Sequence, residues 1–353
     1  MTLTRRSLFY IASLLVSSFF LFRWRSTVKN LFLRPEAKGQ IPPKFPNPFL
    51  EGNKALVGLV HGDDVELMVR EAIRLIGGLE KLQVTGKTVL IKPNVVSSRP
   101  PPTTTSPEVI RSLIRILKEA GAKTVYVGDM SALLTLPTNK NMQKTGILRV
   151  VEEEGAVALF FEDYRWVKVD LPQGEHIKEA YVSEWIYKVD RIINLPIIKT
   201  HRSATYSITL KNFIGATHSR QRPYLIDSSH WEEIVSELNL AYQPHLNLVD
   251  GTMVMSSGGP WSGEQEKAGI VLASGDRVAA DIIGLSLIKH YAKWKKVCEK
   301  GVWEQRQIKR AVKLGLGVKD SRSVHLKEKS LKGADPNYAR LISAIRKHAF
   351  GTA

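Results

Sequence analysis

The 353-residue chain contains a single cysteine, Cys298. One thiol excludes an intrachain disulfide, a cysteine-based zinc site and an iron–sulfur cluster assembled by this chain alone. Acidic residues are also few. The chain has 34 Asp and Glu against 51 Lys and Arg, for a formal net charge of +17. That surplus favours anionic partners such as head groups, acidic metabolites or nucleic acid, and a plain solubilising surface would have the same composition. No basic stripe interleaved with aromatic residues is present, so no specific nucleic-acid partner is expected. A GxGxxG fingerprint is missing, which argues against a dinucleotide site. Apolar residues make up 43% of the chain and charged residues 24%, ordinary values for a globular protein.

The one long apolar run lies at the start, from Ser7 to Phe22, directly after Arg5 and Arg6. The string TRRSLF fits a twin-arginine export signal. As a helix the run spans roughly 24 Å against about 30 Å of hydrocarbon, so it crosses only if the flanking Arg6, Arg23 and Trp24 reach the interfaces. No small-x-small cleavage site follows it, so residues 1–26 are expected to remain as a membrane anchor. Arg23, Arg25 and Lys29 outnumber Arg5 and Arg6, which by the positive-inside rule keeps the body cytoplasmic. The twin arginine favours an exported body, on the periplasmic or extracellular side, and is given precedence. Residues 27–54 carry Pro35, Pro42, Pro43, Pro46 and Pro48 and read as a linker.

From residue 55 to 295, apolar strand patterns alternate with helical ones. The expected fold is α/β, with a largely parallel sheet flanked by helices. Asp63 and Asp64 open a helix that stops at Gly77 and Gly78. Ser106 and Pro107 open the next helix, and Asp276 caps a later one. Residues Tyr164 to Val189 break the alternation and predict a small β excursion. Residues 296–353 form a basic, helix-rich extension packed on the body, with a short strand near 323–326.

Polar residues gather where strand patterns end, which is where ligands bind in open α/β sheets. The run TVLI leads into Lys92, Pro93 and Asn94. Lys199 and His201 lie two apart, on one face of a strand. Lys211 and Asn212 follow within a dozen residues. Lys92, Lys199 and Lys211 are candidate clamps for a small anion, with Asn94 and Asn212 orienting it. His201 and Asp250 are candidates for proton chemistry. Gly258 and Gly259, in a loop with Pro260 and Gly263, can cradle an anion through backbone N–H groups. No Gly-Lys-Ser/Thr follows that loop, so it is not a phosphate loop of the nucleotide-binding kind. His201, His218 and His230 are the candidate ligands should a divalent metal bind, although they lack the tight spacing of a zinc helix. Asp281, amid apolar neighbours, needs a cationic partner if buried, and Lys92 or Lys211 is the candidate.

The ordered series Lys92-Pro93-Asn94, Thr105-Ser106-Pro107-Glu108, Lys199-Thr200-His201, Leu210-Lys211-Asn212 to Gly215, Asp250-Gly251, Gly259-Pro260 to Gly263 and Asp276 to Asp281 resembles the uncharacterised family known as domain of unknown function 362. The likeness covers roughly residues 55–290. Many members pair this body with a ferredoxin-like cluster module or a twin-arginine leader, and the cysteine module is not found here. The resemblance implies no particular reaction. An enzyme acting on a small anionic substrate, a membrane-tethered binding protein for such a ligand or a metal, and an assembly factor all remain open.

Overall fold

The computed structural model describes residues 43–292 and 294–352. The expected anchor and most of the linker lie outside them, and no helix among the described residues is long and apolar enough to cross a membrane. The strands are β1 (Leu50–Glu51), β2 (Lys54–His61), β3 (Thr88–Pro93), β4 (Thr124–Asp129), β5 (Val157–Phe160), β6 (Trp166–Asp170), β7 (Glu179–Ser183), β8 (Arg191–Leu195), β9 (Ile197–His201), β10 (Thr205–Ser207), β11 (Leu246–Met255), β12 (Gln265–Ser274) and β13 (Val324–Ser330). The helices of eight or more residues are α1 (Val65–Leu75), α2 (Pro107–Glu119), α3 (Trp231–Leu238), α4 (Arg277–Tyr291), α5 (Arg306–Lys313) and α6 (Pro336–Phe350).

One large sheet runs β1-β2-β12-β11-β8-β3-β4-β5, with β13 beside β2 and β9 bridging β11 and β10. Its block from β11 to β5 is parallel. However, β2, β11 and β12 pair antiparallel, so the sheet is mixed, although β13 lies parallel to β2 and β9 parallel to β11. The reason lies in the connection from β11 to β12. A loop of nine residues, 256–264, returns the chain as a hairpin and is too short for a crossover helix. The excursion anticipated between Tyr164 and Val189 forms as the separate antiparallel pair β6–β7.

Strand alternation distributes side chains to two cores. In β3, Val89 and Ile91 join α1 and α2 on one face, while Leu90 joins α3 and α4 on the other. Period two therefore sends Lys92 to the face of Leu90. In β11, Leu246 and Leu248 belong to the α1–α2 side and Val249 to the opposite side. Asp250 consequently faces the α2 side.

The capping expectations hold. Asp64 accepts from Leu67 N at 2.9 Å, and Ser106 caps α2 with Pro107 in its first turn. Asp276 caps α4 through Ala279 N at 2.8 Å, and its other oxygen accepts from Val318 N at 2.9 Å. That residue thus ties the C-terminal extension to the body. Asp276→Ala is expected to cost about 1–2 kcal/mol, the usual range for a lost cap. Urea unfolding monitored by circular dichroism measures it, and a loss below about 0.5 kcal/mol would rule the tie out. At the other end, the Phe45 ring stacks on His245 at 4.0 Å and Phe49 is buried, so the last residues of the Pro-rich stretch lie against the body.

Candidate functional site

The parallel strands β3, β4 and β8 end at one edge of the sheet, and a cavity of about 230 Å³ opens beyond them. Its walls include Asn94, Asp129, His201, Lys211, Asn212, Gly215, Arg222, Tyr224, Trp231 and Trp261. Three elements supply most of them: the loop after β3, the loop after β4, and the segment from the short helix Thr209–Asn212 to Tyr224.

Beneath this cavity, Lys92 is fully buried and donates to Asp129 Oδ1 at 2.7 Å and to Pro93 O at 3.0 Å. The second oxygen of Asp129 accepts from Val95 N at 2.7 Å. Burial pulls the Lys92 ammonium below its ordinary range, and Asp129 opposes that pull. Lys199 is also buried and donates to Asn94 Oδ1 at 2.9 Å and Thr103 O at 2.8 Å. No carboxylate among the described residues bonds it, and burial followed by the nearby Lys211 holds it well below the usual lysine range, with Asp129 opposing.

Lys211 differs from both. It lines the cavity, and its Nζ makes no hydrogen bond or ion pair among the described residues. Burial, then Arg222 and Lys92, bring its pKa down to about 7. Arg222 is buried, with its guanidinium donating to the carbonyls of Ile214, Met130 and Ser131, and its Nε has no partner. The indole N–H of Trp231, in the same wall, is likewise buried without a partner.

Asn94 and Asn212 belong to a chain of amides rather than offering free donors. Asn94 Nδ2 donates to Asn212 Oδ1 at 3.0 Å. Asn212 Nδ2 in turn donates to Asn194 Oδ1 at 2.8 Å and to Lys92 O at 3.0 Å. Asn194 Nδ2 continues to Asn247 Oδ1 at 3.1 Å. A satisfied network of this kind fixes side-chain positions, and it sets the loop after β3 against the Lys211 segment.

His201 lines the cavity, and its Nδ1 accepts from the N–H groups of Ser203 and Ala204, both at 3.2 Å. Those two donors assign the ring proton to Nε2. The neutral imidazole is then a donor at Nε2, with no lone pair there for a metal or for taking up a proton. Burial, then Lys211 and Lys199, keep the ring neutral, well below the usual histidine range. Its turn ends at Thr205, a β-branched residue at φ 65°. That conformation is costly, and a hydrogen bond from Thr205 Oγ1 to Glu232 Oε1 at 3.0 Å holds it.

Several expected roles do not survive the geometry. Asp250 does not line the cavity. It accepts from Ser106 N at 2.8 Å and from Thr252 Oγ1 at 2.7 Å, pinning the start of α2 on the opposite face of the sheet. Of the expected cradle at Gly258 and Gly259, the Gly259 N–H is taken, donating to Ser262 O at 2.8 Å, and a Cβ there would lie 2.0 Å from Thr200 O. Their loop is a wall that seats Trp261 against the cavity. Asp281 is paired with neither lysine; it accepts from Thr209 N at 2.7 Å and Thr209 Oγ1 at 2.5 Å.

His201, His218 and His230 do not come together. His218 Nδ1 accepts from Arg220 N at 3.2 Å, beside the Trp166 ring. His230 bonds Asp227 at 2.6 Å and stacks on His176, with ring planes 17° apart. His176, Asp227 and His230 are close enough to share an ion, but nearly parallel rings aim their in-plane lone pairs side by side rather than at one point. Two side chains of the cavity wall escaped sequence reasoning, Asp129 and Arg222. Asp129 was visible as a carboxylate closing the strand next to β3, and Arg222 as a cation in the HSRQR run.

The molecule is therefore a mixed α/β protein with a cation-rich cavity at the carboxyl ends of its parallel strands. The profile of the family described as Domain of unknown function (DUF362) matches residues 89–286, which is more than half of the chain, and the chain belongs to that family. A thylakoid-associated protein of Synechocystis sp. (strain ATCC 27184 / PCC 6803 / Kazusa) is 26% identical over 222 residues, 61% of this chain and 67% of its own length. Among solved structures, the lactate racemase apoprotein from Thermoanaerobacterium thermosaccharolyticum aligns with a TM-score of 0.43 and 16% identity, over 68% of this chain and 58% of its own. A Thermotoga maritima protein aligns with a TM-score of 0.38 and 17% identity, over 55% and 52%. The chain thus spans a little over half the length of each of those two structures.

Proposed function

We propose that the cavity binds a small carboxylate or phosphate and that the protein acts on it as an enzyme, with Lys211 and Arg222 as the contacts that select negative charge. One observation carries this reading. Lys211 and Arg222 line one cavity with Lys92 and Lys199 buried beneath it, and among the described residues Asp129, bonded to Lys92, is the only carboxylate in its wall. A buried charge without a counter-charge is costly, and an anionic ligand relieves that cost. The neutral His201, protonated at Nε2, adds a hydrogen-bond donor to the same wall. The apolar run Ser7–Phe22 would tether this body to a membrane, in keeping with the thylakoid association of the Synechocystis relative.

The test is calorimetric titration of the purified body with phosphate and with lactate across pH. Lys211 carries charge below its pKa of about 7 and loses it above. Anion affinity should therefore fall as pH rises through 7, and binding above 7 should take up a proton. Other groups face the same region. His201 stays neutral throughout, while Glu162, which burial raises to about 7, acts on Arg222 and titrates in the same window. Lys211→Met separates the two, because only Lys211 contributes the proton that this variant lacks. Affinity that is flat with pH in the unaltered protein would sink the reading.

A further inference from the structure

We propose that Lys211 is a covalent anchor, its amine condensing with the carbonyl carbon of a small 2-oxo acid held in the cavity. This rests on the anion-site reading above and assigns that site a substrate class. Three lysines stand at the site, Lys92 and Lys199 buried and Lys211 half-buried, and among the described residues Lys211 alone is available for bond formation. Lys92 is held by Asp129 and the Pro93 carbonyl, and Lys199 by Asn94 and the Thr103 carbonyl. Neither lines the cavity. Lys211 does, and its Nζ is held by nothing among the described residues.

Its setting suits a nucleophilic amine. Arg222 and Lys92 are its cationic neighbours, and no carboxylate among the described residues pairs with it to retain a proton. Cationic neighbours and desolvation are the two ways a lysine is kept partly unprotonated near neutrality. The same Arg222 charge attracts the carboxylate of a 2-oxo acid, whose carbonyl carbon is then the next atom along. Two functions on adjacent carbons thus match two groups in one wall, a fixed cation and a free amine.

The step balances without an oxidant. The Nζ lone pair attacks the carbonyl carbon, and the C=O π pair moves to oxygen. Both amine hydrogens finish on that oxygen, which leaves as water, and the C=N bond remains. Protonation of the imine nitrogen by solvent gives an iminium ion, whose charge the bound carboxylate offsets.

The experiment uses pyruvate as the probe and sodium cyanoborohydride to reduce any imine, followed by peptide mass mapping. The Lys211 peptide should gain a 1-carboxyethyl group about tenfold or more faster than an exposed lysine such as Lys295, since the cavity holds the probe against the Lys211 amine. Phosphate should suppress the labelling, and Lys211→Arg, which keeps the charge, should abolish it while still binding lactate. Labelling of Lys211 no faster than Lys295, with pyruvate still bound in calorimetry, overturns the covalent anchor and leaves the anion site standing. Absence of any pyruvate, lactate or phosphate binding overturns both.

Discussion

Asp129→Ala should be among the most destabilising single changes in the protein, lowering the unfolding free energy by about 3–5 kcal/mol. Lys92 is completely buried, and its ammonium meets one carboxylate, at 2.7 Å. Truncating that carboxylate leaves an unpaired charge in the interior and frees Val95 N, which donates to the other oxygen. At roughly 2–4 °C per kcal/mol for a domain of this size, the midpoint should drop by about 10 °C. The double variant Lys92→Met with Asp129→Leu removes both charges and should recover much of the loss, because apolar replacement of a whole buried pair is often close to neutral. Urea unfolding of the three proteins decides it. A single variant within about 1 kcal/mol of the unaltered protein would mean that the pair is solvated or unformed.

Lys211→Met carries the largest expected effect on binding. A hydrogen bond from a charged donor is worth about 1.5–3 kcal/mol, so phosphate or lactate should bind about 10- to 100-fold more weakly at about pH 6. The fold should not suffer. The Lys211 pKa of about 7 lies below its unfolded value, so between those values the unfolded chain binds more protons. Its contribution is therefore a penalty that is fully present below pH 7 and is relieved as pH rises towards the unfolded value. Methionine removes that penalty, and the variant should be at least as stable as the parent near pH 6. The measurement is a pair of curves, affinity and melting temperature against pH. Unchanged affinity in the variant would move the anion site away from Lys211.

Much of the architecture was legible in advance. The runs TVLIKP and RIINLP are continuous and apolar, as strands covered on both faces must be, and they became β3 and β8. Asp64, Ser106 and Asp276 announced their helices because a cap is a local contact. The antiparallel return of β12 beside β11 was less visible, since strand direction depends on which edge the hairpin finds. The candidate site divides the same way. Lys92, Lys199, His201 and Lys211 were singled out as polar groups at strand ends, and all lie in or directly beneath one cavity. Asp129 and Arg222 were not, because their importance arises from neighbours 37 and 11 residues away in the chain, Lys92 and Lys211.

By itself the sequence determined the element types, the caps and the surplus of positive charge, all of which depend on composition and short-range spacing. Only the tertiary structure decided which charges meet. Alternation along β11 turned Asp250 to the α2 side, two backbone N–H groups settled the His201 proton on Nε2, and strand order brought Asp129 to Lys92 while leaving Lys211 without a partner among the described residues. Pairing between distant segments is set by register and packing, and those are properties of the assembled sheet rather than of any stretch within it.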